Sequence, residues 1–234
     1  MKNLKIIVPA LLCAGLYLAG CHAKSQDSSP ETVQAKHLEV DSIQKIVAQT
    51  RQSYKAMDNP TLLKKLADQS KRQKEPFNSL AYREMASRKD VNPDTLVSLI
   101  HQLKDGDAIL PLLLLRTLND KAYTGVPVEN KVIILTDALQ RSKTFNMWGL
   151  PGQYPEDASK ALIACGRSAI PALTRMLKQT SAAPLYGSKE SMVYQHYKFR
   201  LCDYALYFIE EIQGNTNFVM PVTPAERDAL ISKL

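Results

Sequence analysis

The sequence predicts an all-α protein built as an irregular array of antiparallel helix pairs, with an irregular α-helical bundle as the alternative. The composition is the first indication. Of the 234 residues, nine are Gly, 45% are hydrophobic and 23% are charged, which is typical of a folded core and unlike collagen-like or Gly-rich chains. The second indication is an apolar spacing of i, i+3, i+4 and i+7 that recurs along the chain. The third is the position of Asn-Pro pairs and Gly residues, which mark helix starts and ends.

Residues 1–20 have the features of an export signal. Lys2 and Lys5 provide a positive start, and the apolar stretch Ile6–Leu18 follows. A stretch of this length is too short to span a bilayer, which needs about 20 apolar residues, and it is typical of a signal peptide. It leads directly into the sequence Ala19-Gly20-Cys21.

The sequence Leu18-Ala19-Gly20-Cys21 resembles the lipobox of bacterial lipoproteins, in which the cysteine thiol takes a diacylglyceryl group. The resemblance implies cleavage before Cys21, lipidation of Cys21 and a membrane as the partner of that lipid. It implies a place in the bacterial cell envelope. His22, rather than Asp, follows the cysteine, which favours the outer membrane, facing the periplasm, in a Gram-negative host. The alternative is an ordinary signal peptide in which the cysteine has no role.

The rest of the chain is predicted as a flexible tether, residues 21–39, and a single α-helical domain, residues 40–234. The tether is rich in Ser, Gln and other polar residues, which favours a flexible linker. Helices are expected near 43–57, 60–66 and 79–88. The basic residues of this region are expected on a solvated helix face, with contact to anionic headgroups as the alternative; they are Lys64, Lys65, Lys71, Arg72 and Lys74.

From residue 92 onward the helical pattern repeats. The predicted pairs are 92–103 with 107–118, 128–142 with 156–165, and 168–179 with 192–212. Their first members start about 35 and 41 residues apart, and arrays of helix pairs have periods of ~33–47 residues.

The segment Ala161–Leu173, continuing to Leu177, resembles the joint between two HEAT repeats. One helix ends at Gly166, and the next begins with a small residue, Ile, Pro and Ala-Leu. Gly166 is expected in the left-handed conformation, Ser168 as a helix cap and Pro171 in the first turn. The resemblance implies a HEAT-like array over about residues 92–214. An irregular α-helical bundle stays open as the alternative.

The sequence offers no chemistry for catalysis or metal binding. It contains no GxSxG, P-loop, GxGxxG or HExxH motif. On one helix, His196 and Cys202 would lie about 240° apart, so they cannot share a metal. Glu156 and Asp157 are expected to stabilise a helix start rather than to catalyse. We therefore expect no catalytic residues, no metal site, no cofactor and no enzymatic activity.

Aromatic residues in two long loops form the candidate binding edge. The loops are residues 143–155 and 180–191, and the candidates are Phe145, Trp148, Tyr154 and Tyr186. Equivalent loops of a stacked array emerge on the same edge, so we expect the two loops to be neighbours and to contact a protein partner or a glycan. The alternative is that Trp148 and Phe145 close the end of the core.

Cys165 and Cys202 are predicted to be free, buried thiols. Both lie on apolar helix faces, but the repeat register separates them by about 16 Å along the helix axes. A disulfide needs Cα atoms within about 7 Å of each other.

These features predict a lipid-anchored, extracytoplasmic interaction or scaffold module. A module that binds a glycan or cell-wall fragment is the first alternative, and an enzyme with a cleft between helices is the second. The net charge of +7 could suggest nucleic acid, but an exported, lipid-anchored chain rarely meets it, so no nucleic-acid partner is expected.

Overall fold

The structure is a computed structural model that describes residues 44–142, 147–183, 188–215 and 217–234. The chain divides into two units, Met1–Val47 and Ala48–Leu234. Residues 44–47 of the first unit are described and are helical. Cys21, Phe145 and Tyr186 lie outside the described residues. Within the described ranges, no helix has both the length and the apolar character needed to span a membrane.

The fold is all-α, as predicted. The helices of the second unit are α1 (48–55), α2 (Asn59–Lys71), α3 (Leu80–Ala86), α4 (Pro93–Gln102), α5 (Ile109–Leu118), α6 (Asp120–Gly125), α7 (Val128–Arg141), α8 (Asp157–Ile163), α9 (Ile170–Met176), α10 (Ser188–Tyr197), α11 (Leu201–Gln213) and α12 (Pro224–Ile231). Short 3₁₀ helices cover Pro76–Asn78, Asp105–Ala108 and Gly166–Ala169. Two short strands, β1 (Gly149–Leu150) and β2 (Tyr154–Pro155), form an antiparallel hairpin.

Local capping explains where several helices begin. Asn92 accepts the backbone N–H of Asp94 at 2.9 Å and caps α4, with Pro93 as the first helical residue. The cap of α2 is Asp58, the residue before the pair Asn59-Pro60, and its carboxylate accepts the N–H of Thr61 at 2.8 Å. Each side chain satisfies a backbone donor that has no partner within the helix.

The helices pack in successive pairs. The predicted partners contact each other: α4 packs on α5, α7 on α8 and α9 on α11. The pairs also stack, because α5 contacts α7 and α8, α7 contacts α9, and α8 contacts α11. Helices α2 and α3 form a further pair that packs against α5.

The third pair differs from its prediction. A single helix was expected over 192–212, but the chain forms α10 and α11 with a break between them. Lys198 has φ of +50°, and Arg200 forms an antiparallel bridge with Ala182. The helix is interrupted because residues 199–202 bond to a distant segment rather than to the preceding turn.

The joint at Gly166 is partly as expected. Gly166 has φ of +60°, which is the left-handed conformation predicted for it. Ser168 does not cap the next helix; a 3₁₀ turn over Gly166–Ala169 precedes α9, which has no side-chain cap. Pro171 lies in the first turn of α9, where a missing N–H is tolerated.

Helix α5 occupies the centre of the core. All seven residues from Ile109 to Leu115 are buried, since α2, α3, α4, α7 and α8 contact this helix. An apolar side chain that is fully buried contributes about 1.5–3 kcal/mol. Helix α5 therefore joins the α2–α3 pair and its own partner α4 to the α7–α8 pair.

Candidate functional site

Trp148 lies in the core rather than on the predicted binding edge. Its side chain is 1% exposed. The indole N–H donates to Ser142 Oγ at 2.9 Å, and its ring centroid lies 6.3 Å from that of Phe208. The expectation that Trp148 contacts a partner is therefore wrong. Its large apolar ring closes the end of the core beneath the loop, which was the alternative.

The hairpin that carries Trp148 is held by close backbone packing. Gly149 has φ of +74°, and a Cβ atom at this position would clash with the carbonyl oxygen of Tyr154. The side chain of Tyr154 is 37% exposed. Of the four predicted edge residues, the structure thus places one in the core and one at the surface.

The described parts of the two long loops meet the same stretch of chain. The Tyr204 hydroxyl donates to the Gly149 carbonyl at 2.8 Å. In the second loop, the Ala183 N–H donates to the Phe199 carbonyl at 2.9 Å, and the Leu201 N–H donates to the Ser181 carbonyl at 3.0 Å. Both loops therefore pack against the start of α11.

Cys165 and Cys202 are free and buried, as predicted. Burial raises the pKa of each thiol to about 11. For Cys202, the neighbouring carboxylate of Asp203 raises the pKa further. Both groups are protonated at neutral pH, so they lack the thiolate that nucleophilic chemistry requires.

A charged cluster links α11 to α12. Arg200 contacts Asp203 at 2.9 Å and Asp228 at 2.8 Å. Arg227 contacts Asp203 at 3.0 Å, and both of these side chains are fully buried. Hydrogen bonds and charge from the two carboxylates raise the pKa of Arg200. The charges balance inside the cluster, so its role is to hold α12 in place.

A groove between α2 and α4 is the best candidate for a binding site. Its volume is about 550 Å³, within the ~300–1,000 Å³ range of ligand pockets. Leu63, Ala67 and Leu99 supply apolar surface, and Lys64 and Lys71 supply positive charge. No carboxylate of the described residues lies within ion-pair distance of either lysine.

Sequence reasoning missed this groove. It placed Lys64 and Lys71 on a solvated face, and both side chains are exposed. The apolar neighbours Leu63 and Ala67 are only partly buried, and they are spaced four residues apart on α2. That spacing, beside two lysines, was the available signal of a half-buried surface.

A smaller depression contains two carboxylates. Asp120, Asp157 and Arg116 line a volume of about 340 Å³. The Arg116 guanidinium donates to the backbone carbonyl of Asp157 at 2.9 Å. Asp120 and Asp157 each lie in the first turn of a short helix, α6 and α8, where a negative charge stabilises the helix dipole.

Comparisons with known proteins assign no family. No family model, curated protein or solved structure matches the chain. Among the described residues, no three His, Cys, Asp or Glu side chains are grouped so that they could hold a metal ion.

Proposed function

We propose that this chain is a lipid-anchored interaction module of the bacterial cell envelope. One observation carries the anchor: a basic start, a short apolar stretch, small residues and Cys21 follow one another in that order. Several acyl chains on one cysteine give a stable anchor, because each buried CH₂ contributes about 0.8 kcal/mol and a single chain is marginal. The module faces the periplasm from the outer membrane in a Gram-negative host.

The anchor is tested on the protein made in a bacterial host. Mass analysis of the mature N-terminus should find Cys21 with a diacylglyceryl group and an added acyl chain. Cys21→Ser should abolish the lipid adduct, while Cys165→Ser should leave it unchanged. An unmodified Cys21 thiol, or cleavage elsewhere that yields a product without lipid, contradicts the anchor.

The α2–α4 groove is the proposed partner site, and its chemistry suits an acidic, amphipathic protein segment. Apolar side chains of such a segment would pack on Leu63, Ala67 and Leu99, and its carboxylates would pair with Lys64 and Lys71. Asp94 lines the same groove and would disfavour a segment with acids along its whole length. The partner is therefore a protein, and the chain acts as a binding module rather than an enzyme.

Photocrosslinking tests the groove in the native lipoprotein. A photoreactive residue at Ser98, which is exposed and lines the groove, should give a discrete protein adduct. The same residue at Ile133, which is 50% exposed on α7, is the matched control and should give none. Lys64→Glu with Lys71→Glu should remove the adduct at position 98. Equal adducts at both positions would contradict the proposal that the α2–α4 groove binds the partner.

A glycan-binding module is the alternative, and the burial of Trp148 weakens it. Sugar binding by stacking needs exposed aromatic rings, and Tyr154 is the exposed member of the predicted edge within the described residues. Purified cell-wall fragments provide the test. Saturable binding that is lost in Tyr154→Ala and kept in Lys64→Glu would favour the glycan over the protein partner.

An enzyme is a second candidate because Asp120 and Asp157 share a depression. A pair of carboxylates is the usual acid–base machinery of glycoside hydrolysis. Their positions at helix starts, where a negative charge stabilises the helix dipole, already explain why two acidic residues occur there. Release of soluble products from cell-wall fragments, lost in Asp120→Asn and in Asp157→Asn with the fold intact, would establish the enzyme.

A further inference from the structure

We propose that a basic surface around Phe77 docks on the anionic headgroups of the membrane that holds the anchor. We call this surface the Phe77 patch and define it by Arg51, Lys55, Phe77 and Arg83. The proposal extends the lipid anchoring proposed above, because the anchor would keep the patch near a membrane. It concerns a second, non-covalent contact with the lipid surface.

Phe77 projects from the protein on a fixed turn. Its side chain is 77% exposed, whereas large apolar side chains are usually buried in a core. The 3₁₀ turn is held by a hydrogen bond from the Asn78 N–H to the Glu75 carbonyl at 3.0 Å and one from the Ser79 N–H to the Pro76 carbonyl at 3.2 Å. The ring is therefore presented to solvent by a rigid backbone.

One cation lies over this ring, and two others share a depression with that cation. The guanidinium of Arg83 lies 5.6 Å from the centroid of the Phe77 ring. Arg83 also lines a shallow depression of about 150 Å³ together with Arg51 and Lys55. Three positive side chains from α1 and α3 thus lie at one surface with the exposed ring.

The positive charge of the patch is not neutralised nearby. Among the described residues, none of Arg51, Lys55 and Arg83 has a carboxylate within ion-pair distance. Glu84 lines the same depression, but its carboxylate pairs with Arg88 at 3.0 Å. The patch therefore has a net positive charge around an apolar tip.

The elements that carry the patch are joined by buried and partly buried hydrogen bonds. Gln69 of α2 donates to the Tyr54 hydroxyl of α1 at 3.1 Å and accepts the Ser79 hydroxyl at 2.5 Å. It also accepts the Ala81 N–H of α3 at 3.2 Å. Because Gln69 links all three helices, the cations and the ring keep a fixed arrangement.

An anionic lipid surface fits this arrangement better than a groove on a partner protein does. Cations pair with phosphate groups, and an aromatic ring inserts at the boundary between headgroups and acyl chains. The lipid proposed on Cys21 would keep the protein at a bilayer, so an anionic lipid surface is available to the patch.

Tryptophan quenching in vesicles tests the patch on the full chain. Phe77→Trp replaces one ring by another, and native Trp148, which is 1% exposed, provides a constant background. The protein is mixed with vesicles of equal parts phosphatidylglycerol and phosphatidylcholine, in which brominated acyl chains act as quenchers. Emission from position 77 should be quenched several-fold more than emission from Val219→Trp, a control at a residue that is 80% exposed.

Charge reversal distinguishes the effect of the patch from the effect of the protein's net charge. Each cation near an anionic surface contributes about fivefold to partitioning. Arg51→Glu with Lys55→Glu should therefore lower the docking constant by about 25-fold or more and remove the quenching. Lys121→Glu with Lys178→Glu changes the net charge equally at two other exposed positions and should leave the quenching in place.

Several results would overturn the proposal. Equal quenching at positions 77 and 219, equal quenching in vesicles of phosphatidylcholine alone, or equal losses in the two charge reversals would each do so. Persistence of the quenching in high salt, measured without any charge reversal, would also overturn it, because exposed charges are screened. Mass analysis of Cys21 in the same sample reports the anchor separately, so failure of the anchor is distinguishable from failure of the patch.

Discussion

Asp203 Oδ1 lies 3.0 Å from Nε of Arg227, and both side chains are fully buried. The Arg227 guanidinium also donates to three backbone carbonyls, those of Tyr197, Pro221 and Val222, at 2.7–2.9 Å. A charge that is removed from water in this way is tolerated only when it is paired and hydrogen-bonded. This pair therefore fixes the end of α10, the start of α11 and the start of α12 relative to one another.

Arg227→Ala should lower the free energy of unfolding by about 3–5 kcal/mol, because it leaves the Asp203 carboxylate buried with one partner fewer. Urea unfolding followed by circular dichroism measures the loss. The control is Asp228→Asn. The Asp228 side chain is 57% exposed where it contacts Arg200, so that change should cost no more than about 1 kcal/mol. Similar losses for both variants would show that burial does not govern this cluster.

Trp148→Ala should lower the free energy of unfolding by about 3–5 kcal/mol, since a large buried ring leaves a cavity. Tyr154→Ala, six residues away on the same hairpin and 37% exposed, should cost much less. Thermal and urea unfolding of both variants provide the comparison. A silent Trp148→Ala would mean that the ring does not close the core.

Cys165 and Cys202 should both react with a thiol reagent in denatured, non-reduced protein and should react slowly in the folded protein at pH 8. The pKa of each folded thiol is raised to about 11 by burial, so the thiolate fraction is small. Mass analysis of the labelled peptides assigns the two sites. Loss of both signals in the denatured, non-reduced protein would indicate a disulfide.

The same two thiols give the unfolding free energy a dependence on alkaline pH. Their ordinary pKa of 9.0 rises to about 11 in the folded protein, so the folded state holds more protons between these values. Stability that is fully present below about pH 9 should therefore be lost as the pH rises towards about 11. A variant with Cys165→Ala and Cys202→Ala should show a smaller decrease over this range in urea titrations.

Gly149→Ala should destabilise the protein more than Gly166→Ala. Both glycines have positive φ, so each alanine has a left-handed cost of about 1–2 kcal/mol. At Gly149 a new Cβ atom would also clash with the Tyr154 carbonyl, whereas at Gly166 no atom lies within 4 Å. The difference between the two unfolding free energies measures the clash. Equal losses would show that the hairpin can shift to accommodate a methyl group.

Local sequence signals predicted the helix pairs well because they act within a few residues. Asn92 and Pro93 start α4 through a cap and a fixed φ, and Gly166 provides the left-handed residue before α9. The break between α10 and α11 was not predictable in this way. It depends on the bridge between Ala182 and Arg200, a contact between distant segments that helical periodicity does not encode.

The candidate site shows the same difference between local signals and contacts between distant segments. A Trp in a loop rich in Gly and Pro is compatible with an exposed binding residue and with a residue that closes the core. The contact with Phe208 decides between these two alternatives. The groove could not be placed because Leu63 of α2 and Leu99 of α4 come together only after the pairs stack. The patch around Phe77 likewise joins α1 and α3 through the tertiary contacts of Gln69.

The burial of Ile109–Leu115 on all sides of α5 has a consequence for handling the protein. In the unfolded chain these seven consecutive residues form an apolar run that lacks the polar face of an amphipathic helix. Such a run associates readily with copies of itself until the neighbouring helices cover it. Heat denaturation should therefore end in aggregation, with a midpoint that shifts with scan rate and protein concentration.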